Sequence, residues 1–289
     1  MADRERSWLK ELARPAWGDW TSFPGMWLLL AASVLPLVFL SQFLVTYAST
    51  TLFLLLLLVG YAVCFCLHFV FWCMAALLYA GRVPGDVWEE SEGGGGKKGS
   101  FRRAYRRLLE SSRPVFFTGL TWGVIAVMAN MVAQMVLGIV LSLFLAGGAN
   151  VGSLVVISTL QFFYLGYFAA DLALVLVVTA PQVVTIGGGR KVDETLRAAY
   201  RLVRPRYGEA LKLMLLPEFA VRTLMLGLYF LLALLRRPVP ASLIFLLCMS
   251  LLEGGKTAFL AAAFNRFFFR SVEEEKKRRA AERKKKGKK

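Results

Sequence analysis

Residues 249–264 read MSLLEGGKTAFLAAAF, and this stretch decides the fold. It lies in a run of the length and apolar character that crosses a bilayer, yet it holds Glu253 and Lys256 near its middle. A charged side chain at membrane depth is costly unless it faces other protein groups. We therefore predict a helix of an all-α integral membrane protein, with these charges turned towards neighbouring helices.

The composition of the whole chain supports a membrane protein. The 289 residues are 57% hydrophobic and 19% charged, whereas soluble domains have about 45–50% apolar and about 25% charged residues. The apolar residues are collected into six runs, each long enough for a bilayer of roughly 30 Å. We predict transmembrane helices at about 26–45, 52–80, 115–145, 153–180, 211–235 and 239–264.

The distribution of lysine and arginine predicts the orientation of these helices. Residues 1–25 contain four of them, 81–113 eight, 187–210 six and 265–289 twelve. The opposite connections, 46–51, 146–152 and 236–240, contain none, none and two. Because basic loops stay in the cytoplasm, both termini are predicted to be cytoplasmic, in a membrane of the prokaryotic plasma (inner) type.

The predicted fold is an integral membrane six-helix bundle made of three hairpins. Residues 1–25 form an aromatic-rich interfacial segment, 26–266 the transmembrane domain and 267–289 a basic tail. Within the first segment, SWLKELARPAW at 7–17 is expected to form a short helix broken by Pro15. The net charge of +16 lies between the apolar runs, which favours anionic lipid headgroups over nucleic acid as the partner.

The two long cytoplasmic loops contain an internal repeat. At an offset of 95, matching residues are Arg102, Ala104, Tyr105 and Arg106 in the first loop and Arg197, Ala199, Tyr200 and Arg201 in the second, and a glycine run precedes each. Apolar residues recur at helical spacing in both segments, so each is predicted to form an amphipathic helix in the inner headgroup layer. The basic residues of their polar sides are Arg102, Arg103, Arg106 and Arg107 in the first helix, and Arg197, Arg201 and Arg204 in the second.

These basic helices have two interpretations. In one, they only anchor the next transmembrane helix by the positive-inside rule. In the other, they form a surface that binds anionic lipid, a protein partner or a second copy of the chain.

The chain resembles a broad group of uncharacterised prokaryotic polytopic proteins. The group includes the membrane domain of some glycerophosphodiester phosphodiesterases and related domains of unknown function. The segments that carry the resemblance are PAWGDW at 15–20, GRVPGDVWEE at 81–90 and LRAAYRLVRPRYGEALKL at 196–213. The resemblance implies an integral membrane protein of unassigned activity. We see no attached phosphodiesterase domain, so we expect no catalytic residue to carry over.

Five ionisable residues share one depth in the predicted membrane, between its midplane and inner third. Glu218 and Arg222 are spaced i, i+4, and Glu253 and Lys256 are spaced i, i+3, so each pair can meet on its own helix. Asp171 has no local partner and is expected to approach a cation of another helix or to be protonated. The cluster is either a packed, neutral network that fixes helix register or a polar cavity for a proton, an ion or a headgroup.

Other polar residues in the apolar runs are predicted to hydrogen-bond between helices. They are Asn130, Gln134, Gln161 and His68. Cys64 and His68, spaced i, i+4, are too few ligands for a metal site, and we expect neither a metal nor another cofactor. Gly254 and Gly255 either admit a neighbouring helix closely or allow a local break.

No catalytic motif is visible in the sequence, and we expect no enzyme. The favoured function is a membrane scaffold or a module that binds a partner or lipid. The alternative is a small transporter or lipid-handling protein that uses the charged cluster near the inner leaflet.

Overall fold

The computed structural model describes residues 14–47, 51–81, 101–148, 166–188, 191–234 and 238–286, and these are almost entirely helical, with no strand among them. The first half of the chain contributes helices α1 (Arg14–Thr21), α2 (Pro24–Tyr47), α3 (Thr51–Ala80), α4 (Phe101–Glu110) and α5 (Ser112–Ala146). The second half contributes α6 (Gly166–Leu174), α7 (Ala180–Thr185), α8 (Val192–Val203), α9 (Tyr207–Leu234) and α10 (Pro238–Lys286).

Within the described residues, five helical stretches are long and apolar enough to cross a membrane. A sixth is obtained if α1 and α2, which meet at an angle of 87°, are taken as one bent span. The predicted all-helical, multi-pass membrane protein is therefore confirmed at this level. The predicted span at 153–180 lies partly outside the described residues, and the remainder of it is found in α6 and the turns that follow.

The long helices pack in the order in which they occur along the chain. Helix α2 packs against α3, α3 against α5, α5 against α6, α6 against α9 and α9 against α10. Helix α10 then returns to α2 and also packs against α3, so it lies at the centre of the described contacts. A buried hydrogen bond from Asn265 Nδ2 to the carbonyl oxygen of Ala76, at 2.7 Å, fixes α10 on α3.

Bulky side chains fill the core between the second half of α3 and the middle of α10. Phe69 and Tyr79 of α3 and Phe264 and Phe267 of α10 are completely buried. In contrast, one side of α5 and of α9 exposes large apolar residues such as Leu143 and Leu231. Exposed apolar surface of this extent matches the composition of a helix in contact with lipid.

A short helix precedes a long helix three times in the described chain: α1 before α2, α4 before α5, and α8 before α9. Each short helix buries an alanine and exposes the aromatic residue that follows it. The three pairs are Ala16 and Trp17, Ala104 and Tyr105, and Ala199 and Tyr200. Two of these units correspond to the repeat in the sequence, and the N-terminal one adds a third.

Prolines lie near two helix boundaries. Pro15 lies in the first turn of α1, and residues 7–13 of the predicted short helix lie outside the described residues. A proline fits there because the first backbone N–H groups of a helix have no internal acceptor. The predicted fourth span is interrupted between α6 and α7 by a 3₁₀ turn at Val175–Val177, shortly before Pro181.

Helix α10 is much longer than the predicted 239–264, because it continues for 49 residues to Lys286. No glycine or proline occurs after Gly255 in this helix, and its second half is rich in strong helix formers. The last part is also held by tertiary contacts. Arg266 Nη2 lies 2.6 Å from Asp19 Oδ2 of α1, and Arg206 pairs with Glu274.

Candidate functional site

The two glycines of α10 bring this helix unusually close to α2. A Cβ atom on Gly254 would lie 2.5 Å from Cα of Ala31, and one on Gly255 would lie 2.6 Å from Nε1 of Trp27. The Trp27 indole donates a hydrogen bond of 2.6 Å to the carbonyl oxygen of Leu251. Helix α10 is continuous through this point, so the glycines serve close packing and not a local break.

Next to this contact with α2, four charged side chains on α9 and α10 form a network. Arg222 binds Glu218 Oε1 through Nε at 2.6 Å and Glu253 Oε1 through Nη2 at 2.7 Å. Lys256 Nζ lies 2.5 Å from Glu253 Oε2 and also pairs with Glu218 Oε2. Each carboxylate therefore gives one oxygen to arginine and the other to lysine, which forms a closed, charge-balanced quartet.

This quartet is shielded from its surroundings. The side chains of Glu218 and Arg222 are each 5% exposed, and those of Lys256 and Glu253 are 11% and 13% exposed. Two charges in a low-dielectric interior recover their desolvation cost only when their geometry is good and their remaining hydrogen-bonding capacity is met. The four ion pairs supply the compensating attraction, and two of them join α9 to α10.

Asp171 lies on α6, beside this quartet. It is 9% exposed and interacts electrostatically with all four members. Within the described residues it forms no ion pair with Arg222 or Lys256, and its Oδ2 atom is buried without a hydrogen-bond partner. The five predicted residues are thus brought into one region, but Asp171 does not share the ion pairs of the other four.

His68 connects three helices. Its Nδ1 lies 2.8 Å from Ser33 Oγ of α2, and its Nε2 lies 3.4 Å from Thr257 Oγ1 of α10. The histidine is 6% exposed, and Trp72 lies one turn further along α3. Gln161 and the side chains of Asn130 and Gln134 lie outside the part of the chain that the structure describes. Ser33 and Thr257 were not identified from the sequence, because hydroxyl groups are common in membrane helices and carry no distinctive spacing.

A glycine pair on α5 allows close contact with α3. A Cβ atom on Gly119 would lie 2.9 Å from the ring of Phe69, and one on Gly123 would lie 3.0 Å from the carbonyl oxygen of Ala62. Their GxxxG spacing is the pattern found where two membrane helices pack closely.

The two basic helices have the same division of buried and exposed positions. Ala104 and Leu108 of α4 are buried, as are the corresponding Ala199 and Val203 of α8. The tyrosines and most of the predicted arginines are exposed. The exposed arginines are Arg102, Arg106, Arg197, Arg201 and Arg204, whereas Arg107 is partly buried and the side chain of Arg103 lies outside the description. The Arg204 guanidinium lies 5.9 Å from the centre of the Tyr200 ring.

Within the described ranges, no set of three or more histidine, cysteine, aspartate and glutamate side chains is arranged to hold a metal ion. The four cysteines are free thiols on apolar helices.

The chain was compared with models of protein families and with curated proteins. Neither comparison found a match. The resemblance to the membrane domain of glycerophosphodiester phosphodiesterases therefore stays a prediction.

Proposed function

We propose that this protein is a non-catalytic membrane scaffold whose cytoplasmic face binds anionic lipid headgroups through α4 and α8. The observation that carries the proposal is the common pattern of these two helices: each buries alanine and an aliphatic residue and exposes a tyrosine and arginines. Six transmembrane helices and cytoplasmic termini are part of this proposal, supported by the lysine and arginine counts.

The chemistry of the exposed side favours a lipid headgroup. An arginine guanidinium donates paired hydrogen bonds to a phosphate, and each basic residue near an anionic membrane surface contributes about 1 kcal/mol. Tyrosine is enriched at the membrane–water interface because its ring is apolar and its hydroxyl is polar. The proximity of Arg204 to the Tyr200 ring keeps both groups on the same side of the chain.

The contacts of α10 support a rigid platform behind these helices. Asp19 Oδ2 of α1 accepts hydrogen bonds from Nε and Nη2 of Arg266, at 3.0 and 2.6 Å. Arg206, which follows α8, pairs with Glu274, about two turns further along α10. The elements next to the proposed lipid surface are therefore tied to the same long helix.

The proposal is tested by counting the lipids bound to the purified protein by native mass spectrometry. The variant Arg197→Gln/Arg201→Gln/Arg204→Gln is compared with Lys276→Gln/Lys277→Gln/Arg278→Gln, which removes the same number of charges from the exposed part of α10. We expect phosphatidylglycerol to bind in preference to phosphatidylcholine, and the first variant to lose this preference selectively. Equal losses in both variants would show an effect of total charge and contradict a specific surface.

The second candidate function is transport or lipid handling at the charged cluster. The buried, unpaired oxygen of Asp171 favours it, because unpaired intramembrane carboxylates often mark pathways for protons or ions. Single substitutions of Asp171, Arg222 and Glu253 separate this candidate from a structural network. Loss of folded protein in all three supports the structural network, whereas normal folding with a lost cellular phenotype supports transport.

A further inference from the structure

We propose that Asp171 is the binding site for one exchangeable proton, which neutralises the buried charged cluster. Two glutamates and two cations of the quartet balance each other, so an ionised Asp171 would add one uncompensated negative charge. Burying an uncompensated charge is unfavourable, and a bound proton removes it. This proposal does not depend on lipid binding by α4 and α8.

The position of Asp171 is fixed by contacts on both sides of it along α6. Phe168 stacks on Phe219 of α9, with ring centres 6.3 Å apart. The Tyr207 hydroxyl donates a hydrogen bond of 2.8 Å to the carbonyl oxygen of Leu172. These contacts hold α6 on α9, close to the helix turn that carries Glu218.

The charged groups around Asp171 come from two helices. Glu218 and Arg222 belong to α9, and Glu253 and Lys256 belong to α10. Among the described helices, α5 also packs against α6, and its only ionisable residue in the sequence is Arg113, in its first turn. Arg222 and Lys256 each bind both glutamates, so the two nearby cations are already shared between two carboxylates.

A proton fits this site better than a metal cation does. Hard cations such as Ca²⁺ and Mg²⁺ require about six or more oxygen ligands. Within the described residues, the free oxygen identified on α6 is that of the Asp171 carboxylate, and one carboxylate is enough for a proton. The proton is taken from water and returned to water, leaving a neutral carboxylic acid in one state and a carboxylate in the other.

Ionisation of Asp171 should also disturb its neighbours. The carboxylate would repel Glu218 and Glu253 and would compete with them for Arg222 and Lys256. The bound proton therefore stabilises the packing of α6 against α9, and its release should loosen that contact.

Infrared spectroscopy of the whole protein in lipid nanodiscs tests whether Asp171 holds a proton. The protein is prepared with ¹³C in the aspartate carboxyl groups, so that the C=O stretch of a protonated aspartic acid is shifted from that of other acids. We expect a shifted carboxylic-acid band at neutral pH that disappears at alkaline pH. The band should be absent from Asp171→Asn and retained in Asp193→Asn, a matched change at an exposed aspartate of α8.

A second variant keeps the test decisive if Asp171→Asn does not fold. In Asp171→Glu the acid band should remain but lose its isotope shift, because the label is confined to aspartate. The proposal is overturned if the wild-type protein shows no labelled acid band at any pH. It is equally overturned if the band persists in folded Asp171→Asn, or if exchanging potassium for sodium at fixed pH removes it, which would assign the site to a metal cation.

Discussion

At the scale of single residues, the small volume of Gly254 has the clearest structural consequence. A Cβ atom added at this position would overlap the backbone and the methyl group of Ala31 on α2. The contact brings Trp27 within hydrogen-bonding distance of α10 and precedes the charged residue Lys256 by only two positions. The packing of α2 and the geometry of the quartet are therefore linked at this point.

Gly254→Ala is expected to destabilise the protein by about 1–3 kcal/mol, the usual cost of overpacking a filled core. The matched control is Gly227→Ala on α9, where an added Cβ has no neighbour within 4 Å. That change should be neutral or stabilising by up to about 1 kcal/mol, because alanine favours a helix more than glycine does. Thermal unfolding in detergent compares the two variants. Equal melting temperatures would contradict the close approach of α2.

Arg222→Met is expected to cost about 3–5 kcal/mol, because it leaves two buried glutamates with a single cation between them. Arg197→Met removes an exposed arginine whose nearest carboxylate oxygen is 3.8 Å away, and should change stability by at most about 1 kcal/mol. Folded yield and melting temperature measure the difference. If both variants behave alike, the quartet does not contribute to stability.

The residues of the charged cluster could be predicted from the sequence, but the ion pairs among them could be predicted only in part. The pairs Glu218–Arg222 and Glu253–Lys256 follow from spacing on one helix, and the structure contains both. The crossed pairs, Arg222–Glu253 and Lys256–Glu218, depend on the rotation of α9 relative to α10. Sequence spacing holds no information about that rotation, which also leaves Asp171 outside the ion pairs.

At the scale of elements, α10 combines a membrane-crossing part with an extension that contacts α1 and the end of α8. The sequence indicated the apolar part, and the basic residues after it suggested a separate tail. Continuation of the helix through the tail depends on tertiary contacts, because charged residues with high helix propensity form stable helices mainly when such contacts hold them. Here Asp19 and Arg206 supply those contacts through Arg266 and Glu274.

The contact between Asp19 and Arg266 is expected to dock α1 on α10. Asp19→Asn and Arg266→Gln should each lower stability, and the double variant should lose less than the sum of the two single losses. Groups that share a contact typically show a coupling of about 0.5–3 kcal/mol. Unfolding of the four proteins gives this coupling. A coupling of zero would indicate that α1 is held by its apolar and aromatic contacts, such as the burial of Ala16 and the contact of Trp17 with Phe259.

The three units of a short helix followed by a long one are an element-scale feature that sequence comparison only partly revealed. Two units share arginine, alanine and tyrosine at one offset and were identified from these residues. The N-terminal unit replaces the tyrosine by Trp17 and has few arginines, so its similarity lies in burial. An alanine followed by an aromatic residue was the available signal, but so short a pattern is common in apolar sequences.

At the scale of the whole molecule, the chain is a multi-pass membrane protein with a charge-balanced interior quartet. Its basic face is formed by the exposed arginines of α4 and α8. The all-helical, multi-pass character and the approximate positions of the described apolar helices could be predicted from the sequence, because the bilayer fixes the length of each run. The central position of α10 could not be predicted from the sequence, because it depends on which helices pack together. It is also α10 that joins the quartet, the α2 contact and the basic face in one element.

The central claim is that the exposed arginines of α8 lie on the cytoplasmic side, next to the anionic leaflet. Arg201→Cys places a thiol on α8, on the side predicted to be cytoplasmic. Ala146→Cys places one at the last residue of α5, on the side predicted to be external. The unsubstituted protein, whose four cysteines lie on apolar helices, is the control for background labelling. A membrane-impermeant maleimide is applied to right-side-out and to inverted membrane vesicles.

The account predicts that position 201 is labelled only in inverted vesicles and position 146 only in right-side-out vesicles. Labelling of position 201 in right-side-out vesicles would place α8 outside the cell and contradict the proposed lipid-binding scaffold.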